Sequence, residues 1–524
     1  CIVTDNFNYT PEDFRNSPDH YKKTWGPDHH CVREDVQLNI LAFDLGASGG
    51  KLFLAKIDGD NVSIENIHRF DNVSYSANGA LFWDIINIYK EMNVGIKKAI
   101  EMTDDQIDSF AIDSFSNDFG LIDKNGQLLT QVRCYRDERT ARHADKIYSK
   151  LSKEKLYELS GNQNALFNTY LQLGAMREDG HGFLLDNAYK LLFIPDLLIN
   201  FLTGKTISEY TISSVSQLYD FKKDDWCQEI LDSYDIPREL FGTLTKPGTL
   251  LGNTQESYNE MMGTKGFPVS VVCEHDTASA YLSSPLHTDC ALVSCGTWSL
   301  IGTELDHCVI TPEGYAANLA NEGGYEGHHR ILRNVMGSWF IQESKRYYKE
   351  HGKDYSFSEL GELAEAAEPF RFLFDPDEPV FYNPGNMPKK IQKYCMEHYG
   401  EAPETVGEII RCIYESLAMK FRWTVEQLEK VSGKELPVIN MMGGGSKAEI
   451  LCQFVANACG RKVVAGPDEA TAIGNITVQL ISIGAASSLD EAKNIMASAS
   501  KMREYLPQNH EEWDVKYQKC IINK

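Results

Sequence analysis

The chain is short of positive charge. Its 524 residues carry 51 Lys and Arg against 75 Asp and Glu, a formal net charge of −24. That balance argues against a nucleic-acid or anionic-membrane partner, since either needs a cationic face. It leaves room for a small phosphorylated ligand held by backbone amides and a metal ion. C-x-x-C pairs are missing as well. The 13 cysteines are scattered and odd in number, as expected for reduced, mostly buried thiols in a cytoplasmic protein. No set of residues has zinc spacing: the run His29, His30, Cys31 lacks a second ligand cluster. There is no apolar run long enough to span a bilayer and no signal-peptide pattern. What remains, 42% hydrophobic and 24% charged, is the composition of a globular chain of two to four domains.

Two common nucleotide motifs are also lacking. In AFDLGASGGKLFLAKID (42–58) an apolar run ends in Asp44, followed by a Gly-rich turn and Lys51. A P-loop would need G-x-x-x-x-G-K-[ST]; counted from Gly46 the second glycine comes one position early, and Leu52 stands where a hydroxyl should be. The G-x-G-x-x-G of a dinucleotide site is absent. The residues after the turn, KLFLAKI and then DGDN, predict a strand and a tight turn. The unit is therefore strand, turn, strand. Such a turn can be an ordinary hairpin, or its backbone N–H groups can hold phosphate.

The same unit recurs about 250 residues later as ALVSCGTWSLIGTEL (291–305), which suggests two related domains. SFAIDSFSNDFGLID (109–123) has two apolar runs around a polar middle, with a turn at KNGQ. DNAYKLLFIPDLLINFLT (186–203) predicts a helix broken at Pro195 and closed by Gly204. FPVSVVCEHDTASAYLSSP (267–285) predicts a strand, a charged turn and a small-residue helix. LPVINMMGGGSKAEILCQFVANACGRKVVAG (436–466) predicts strand, triple-Gly turn, helix, strand, with Ser446 and Glu449 as a capping box and Gly460 after the helix. Three glycines before a helix clear space for something flat or phosphorylated. The expected fold class is α/β: two actin-like (ribonuclease H-like) domains with a catalytic cleft between them. The hairpin turns would face each other across phosphates, and the triple-Gly turn would lie under adenosine.

These strings, with HRF (68–70), YRDERT (135–140), FNT (167–169), EYT (209–211), NEGGYEG (321–327), RNVMGSW (333–339) and AGPDEATAIGNI (465–476), resemble the FGGY carbohydrate kinases. HDTASA (275–280), GTWSLIG (296–302) and NEGG are most similar to the rhamnulokinases. The resemblance runs from about residue 39 to about 500. It implies an N-terminal kinase domain over 38–285 on the sugar and phosphate side and a C-terminal one over 286–490 on the adenosine side. An unassigned extension (1–37) and a tail (491–524) flank them. It implies phosphorylation of a ketose by ATP with Mg2+, L-rhamnulose giving its 1-phosphate in rhamnose catabolism, in a cytoplasmic monomer or small homo-oligomer. One departure lies in the sugar pocket: where rhamnulokinases read close to I-D-T-W-G-V-D, this chain has Ile112, Asp113, Ser114, Phe115, Ser116, Asn117, Asp118. Ser116 replaces a pocket glycine, and Phe115 loses an indole N–H.

The resemblance also assigns residues. Asp276 matches the catalytic base; on pattern alone it is equally a helix N-cap. His275 would contact the sugar, and Phe115, Ser116, Asn168 and Thr169 would wall its pocket. Asp44 would hold Mg2+, directly or through water. Ala47, Ser48, Gly49, Gly50 and Lys51 match the first ATP-binding stretch, and Thr297 would face the phosphates from the second domain. Asn334 and Gln342 match nucleotide-contact positions, and Gly444 the adenosine-side glycine. Arg136, Asp137 and Arg139 read equally as an ion-pair cluster near the sugar or as a solvated face. The alternatives are an FGGY kinase for another ketose (L-fuculose, L-ribulose or D-xylulose), a catalytically silent sugar- or nucleotide-binding protein, and an actin- or Hsp70-like ATPase. Retention of Asp276, Asp44 and both turns argues against the silent protein. The HDTASA loop has no use in the ATPase.

Overall fold

The computed structural model describes residues 37–59, 61–286, 288–383, 385–520 and 522. His29, His30 and Cys31, with nearly all of the expected extension, lie outside them. Two large mixed sheets organise the chain. The first has the strand order Leu250–Asn253, Pro268–Ser270, Ser109–Ser114, Leu38–Gly46, Gly49–Asp58, Asn61–Asp71. The second runs Ala320–Gly323, His329–Met336, Trp298–Leu305, Cys290–Cys295, Val438–Met442, Lys462–Ala465, Arg503–Tyr505.

The two share a plan. In each, an opening strand pairs antiparallel with its hairpin partner, and that partner pairs antiparallel with another strand. On its other edge the opening strand pairs parallel with a strand that follows a helix, the connection a parallel pair requires. The helices are Ile85–Met102, capped by the Asp84 side chain on the Asn87 N–H, and Val406–Ser432, capped by the Thr405 and Glu408 pair and closed by Gly433 at φ 71°. Ile40, Leu41, Ala42 and Phe43 are fully buried in succession, so this central strand reads as a continuous apolar run instead of an alternating one. The repeated hairpin is thus the visible part of a repeated half-molecule.

The halves meet where helix Asp276–Leu282 crosses helix Ala470–Ser482. They touch at Gly474, where a Cβ would stand 1.7 Å from the Ser279 carbonyl oxygen. Helix Ala470–Ser482 also buries Ala472, Ile473, Ile476 and Leu480 on the first sheet, and Gln479 donates to the Leu41 carbonyl.

Two local expectations are corrected. Pro195 starts a helix instead of breaking one: Lys190–Phe193 is a strand paired with Phe119–Ile122, and Ile194–Thr203 follows with Pro195 in its first turn. A proline fits there because the N–H it lacks would have no partner. Gly204 closes that helix at φ 70°. Ser446 and Glu449 do not form a capping box. Helix Glu449–Cys459 has Ala448 at its N-cap, and the Ser446 hydroxyl donates back to the Gly443 carbonyl at 2.7 Å inside a 3-10 turn. Gly460 closes the helix as expected, at φ 64°.

Candidate active site

A cavity of about 260 Å³ lies between the halves. The first hairpin lines it with Asp44, Gly46, Ala47, Ser48 and Lys51; the second with Ser294 to Trp298; the triple-Gly turn with Gly443 and Gly444. The strand and loop after Ser109–Ser114 contribute Phe115, Ser116 and Asn117, and the two crossing helices contribute Asp276 and Ala470 at their starts. Both hairpin turns and the Gly turn therefore open onto one space.

Asp276 is the first residue of its helix, after the N-cap His275, whose side chain makes no capping bond. Its carboxylate accepts from the neighbouring Thr277 hydroxyl at 3.1 Å. Burial pushes it above the ordinary carboxylate range; His275, the Thr277 bonds and Arg330 pull it back. Asp44 and Asp113 are register partners across the parallel pair. Burial raises Asp44 to about 7, against the pull of Lys51 and with Asp276 and Glu469 adding to it. Asp113 is raised as well, by burial and then by Asp44, although Asn475 of the second half donates to it at 2.6 Å. Its Oδ1 is buried with no hydrogen-bond partner. Lys51 spans the cavity to Glu469 at 2.7 Å.

The three glycines of the Gly turn have different reasons to be there. Gly443 has φ +82°, and a Cβ on Gly445 would lie 2.8 Å from that of Cys295. A Cβ on Gly444 would meet nothing within 4 Å. No packing demand keeps Gly444 bare, and it faces the cavity.

Ser116 lines the cavity, its hydroxyl taking a hydrogen bond from Asn117 Nδ2 at 3.1 Å. Asn117 has φ +74°, a conformation asparagine tolerates, and Thr169 braces it by donating to its carbonyl at 2.9 Å. Phe115 packs on Trp83 and Tyr135, at 4.9 and 6.3 Å between ring centroids.

Several expected residues are not in the lining. Asn168 is buried and donates to the Gln163 carbonyl. Gly49 and Gly50 are bare for the neighbouring strand: a Cβ on Gly50 would lie 2.3 Å from the Phe70 ring, and one on Gly49 2.9 Å from the Phe70 carbonyl oxygen. Gln342 is exposed on the next helix and accepts from the Thr297 hydroxyl at 3.5 Å. Asn334 is in the lining. YRDERT splits. Asp137 is buried, paired with Arg133 at 2.8 Å, and Arg139 donates to Gln172 at 2.7 Å. Arg136 lies on the rings of Tyr135 and of Trp339 from the other half.

The sequence reading missed Asp113, Glu469, Tyr135, Phe167 and Trp298. Asp113 had a signal, since it ends an apolar strand as Asp44 does. The others had none, because Phe167 meets Trp298, 6.3 Å between centroids, and Lys51 meets Glu469 only once the halves close on each other.

Residues 39–283 match the N-terminal domain of the FGGY family of carbohydrate kinases, and residues 291–483 its C-terminal domain. A rhamnulokinase of Bacteroides thetaiotaomicron is 37% identical over 483 residues, covering 92% of this chain and 98% of its own. One of Oceanobacillus iheyensis is 35% identical over 465 residues, covering 89% and 97%. Among solved structures, a ligand-bound xylulose kinase from Lactobacillus acidophilus superposes with a TM-score of 0.77 at 16% identity, covering 92% of this chain and 96% of its own. A Plasmodium falciparum glycerol kinase with ADP gives 0.74 at 15%, covering 92% and 97%. At such identity the solved structures speak for the fold.

Proposed function

The chain belongs to the FGGY family of carbohydrate kinases, and from that premise we propose that it transfers the γ-phosphoryl group of ATP to a hydroxyl of L-rhamnulose, giving the 1-phosphate. The observation that carries the reading is the Asp276 carboxylate. It stands at the first position of its helix and opens on the cavity shared by both hairpin turns.

Phosphoryl transfer asks the protein mainly for position and charge. Asp276 accepts the proton of the attacking hydroxyl as that oxygen bonds to the γ-phosphorus and ADP leaves. Burial raises its basicity above that of an exposed carboxylate. Backbone N–H groups at Ala47, Ser48 and Thr297, in the two turns that line the cavity, would receive the phosphates. Bare Gly444 leaves room for the adenosine, and Asn334 lines the same cavity. Ser116, Phe115 and His275 line the sugar end, and Lys51 pairs with Glu469 at the side of the cavity.

The residues fit Mg2+. Asp113 is buried beside Asp44, and one of its oxygens has no partner, so the pair is short of positive charge. Among the described residues no three His, Cys, Asp or Glu side chains form a cage, which suits an ion that keeps waters and phosphate ligands. Asp44 would hold it, with Asp113 behind. Such an ion neutralises charge on the phosphates.

The test is ADP release with Mg-ATP against L-rhamnulose, L-fuculose, L-ribulose and D-xylulose, with Asp276→Asn as control. Preference for L-rhamnulose, lost in the variant, is the expected result. Preference for another of these ketoses would move the substrate to that sugar and point to Ser116. ATP binding without ADP release on any sugar would overturn the kinase reading. Use of ATP and the reduced cysteines fit a cytoplasmic location; among the described residues no helix is long and apolar enough to cross a membrane.

A further inference from the structure

His275 faces two ways. Its backbone belongs to the first half: the His275 N–H donates to the Thr211 hydroxyl at 3.2 Å, and the segment bridges to Ser114. Its side chain is held by the second half. Glu322 and Arg330 are register partners on neighbouring antiparallel strands of that sheet, and both are buried, Arg330 completely. Arg330 Nη2 lies 3.0 Å from Glu322 and 3.2 Å from His275 Nδ1. Its Nε donates to the Gly323 carbonyl at 2.9 Å. On the opposite edge of the imidazole, Nε2 lies 3.6 Å from Asp276 Oδ1.

This pair needs a reason. A buried ion pair is seldom a gain in stability over well-packed apolar residues. Burial alone would raise the Glu322 carboxyl, yet the Arg330 guanidinium beside it holds the group below its ordinary value. With both groups buried and 3.0 Å apart, Glu322 neutralises Arg330. An arginine offers only donors. A proton on Nδ1 would point at the Arg330 N–H; a lone pair there accepts it. The Glu322 oxygen, 3.3 Å from Nδ1, is the competing acceptor, but it makes no hydrogen bond there, whereas the Arg330 contact has hydrogen-bond geometry.

We propose that Glu322 and Arg330 are positioning residues for the phosphoryl transfer, fixing His275 as the Nε2–H tautomer and turning that N–H onto Asp276. The inference rests on the kinase reading, in which Asp276 is the base. It gives the NEGG segment a task that its place on a distant strand conceals. The base comes from one half and the clamp that orients it from the other, so the carboxylate is correctly presented only when the halves are docked. An N–H from His275 occupies one carboxylate oxygen and leaves the other for the substrate hydroxyl. The 3.6 Å separation is long for a hydrogen bond, and catalytic bonds of this kind tighten when substrate is present.

The experiment has two arms. In the first, the full-length protein is labelled with 15N-histidine and two-bond proton–nitrogen correlations are recorded at neutral pH, with His275→Gln identifying the signal. A protonated Nε2 and a bare Nδ1 are expected; a protonated Nδ1 overturns the proposal. This arm needs no turnover, so it decides the clamp even if no ketose proves to be a substrate. In the second, Glu322→Leu with Arg330→Met removes the pair without stranding a charge. It should lower kcat about tenfold or more and leave the KM for ATP within about twofold. Made in the His275→Gln background, the same pair of substitutions should have no further effect, because it acts through His275. Full additivity of the two losses would show a merely structural role and overturn the proposal. Should the Leu and Met variant fail to fold, the first arm on the unaltered protein stands as the decisive one.

Discussion

The two halves use one frame for opposite purposes. Asp44 stands two residues before the turn glycine Gly46; Ser294 stands two before Gly296. The parallel register partner of Asp44 is Asp113, and that of Ser294 is Met442. The helix at the domain crossing begins with Asp276 in the first half and Ala470 in the second. After the parallel strand, the first half continues with Phe115 to Asp118, the second with three glycines. Asp44, Asp113 and Asp276 of the first half each have a neutral counterpart, and where the first half builds a wall of side chains the second removes them. The backbone plan fixes where a site lies; which half carries charge and which gives room follows from a handful of residues at the strand ends.

The sharpest break of this asymmetry is at Asp276. Asp276→Asn should lower turnover by about 10²–10⁴-fold, the usual contribution of a general base, with ATP affinity within about twofold by calorimetry. Near-normal turnover would mean that the first half's helix start is no more chemical than Ala470. Next comes the matched pair at the hairpins. Asp44→Asn should cost about 10²-fold in kcat and weaken the Mg2+ dependence, while Ser294→Ala costs less than about threefold. Equal losses would show that the turns act as twins.

A smaller effect concerns the wall itself. Asp118 is fully buried and accepts from Trp83 Nε1 at 2.6 Å, Gln172 Nε2 at 2.9 Å and the Tyr135 N–H at 2.9 Å. Burial raises its carboxyl to about 6, against these donors. The folded protein thus keeps a proton that the unfolded chain releases near the ordinary value of 3.8. The stability this group contributes is present below that value and declines as pH rises to about 6. Over that window the unaltered protein should lose up to about 3 kcal/mol relative to Asp118→Asn. Paired urea unfolding curves at pH 4.5 and 7, followed by tryptophan fluorescence, would read the difference. A constant gap between the two proteins would place the Asp118 titration outside this range. The second half's Gly turn, at the matching place, has nothing to titrate.

The repeat was legible because a hairpin opening with an apolar strand and ending in glycine is short and local. The same holds for the helix closures at Gly204 and Gly460, each set by one left-handed residue. What failed were patterns whose atoms had other partners. Ser446-x-x-Glu449 and Thr405-x-x-Glu408 are the same string type, yet only Thr405 caps, because Ser446 sits inside the 3-10 turn Gly444–Lys447 and the N-cap position falls on Ala448. Gly49 and Gly50 looked like phosphate glycines and are bare for Phe70, a residue of the adjacent strand. His275, expected at the sugar, does line the cavity; what its spacing did not show is that its Nδ1 meets Arg330, 55 residues away. In each case the deciding neighbour was either spent locally or brought in from another strand, and spacing along the chain carries no trace of it.

The finest test of the asymmetry is inside the Gly turn. If the second half gives room for a ligand, Gly444 and Gly445 must respond in opposite ways to one added methyl. A Cβ on Gly445 would press on the Cys295 Cβ at 2.8 Å and the Cys295 carbonyl oxygen at 3.0 Å. Backbone cannot swing aside as a flexible side chain can, so Gly445→Ala should destabilise the protein by about 1–3 kcal/mol, seen as a lower melting temperature with or without ATP. A Cβ on Gly444 meets only the cavity. Gly444→Ala should leave the ligand-free melting temperature unchanged and raise the KM for ATP about tenfold, roughly 1.4 kcal/mol of lost binding, with kcat little altered because the reacting phosphate lies elsewhere. A melting loss in Gly444→Ala would show that this glycine too is structural, and the nucleotide would then need another reason to lie against the second half. An unchanged KM would say the same from the other side, because a methyl placed under a bound ring cannot go unnoticed.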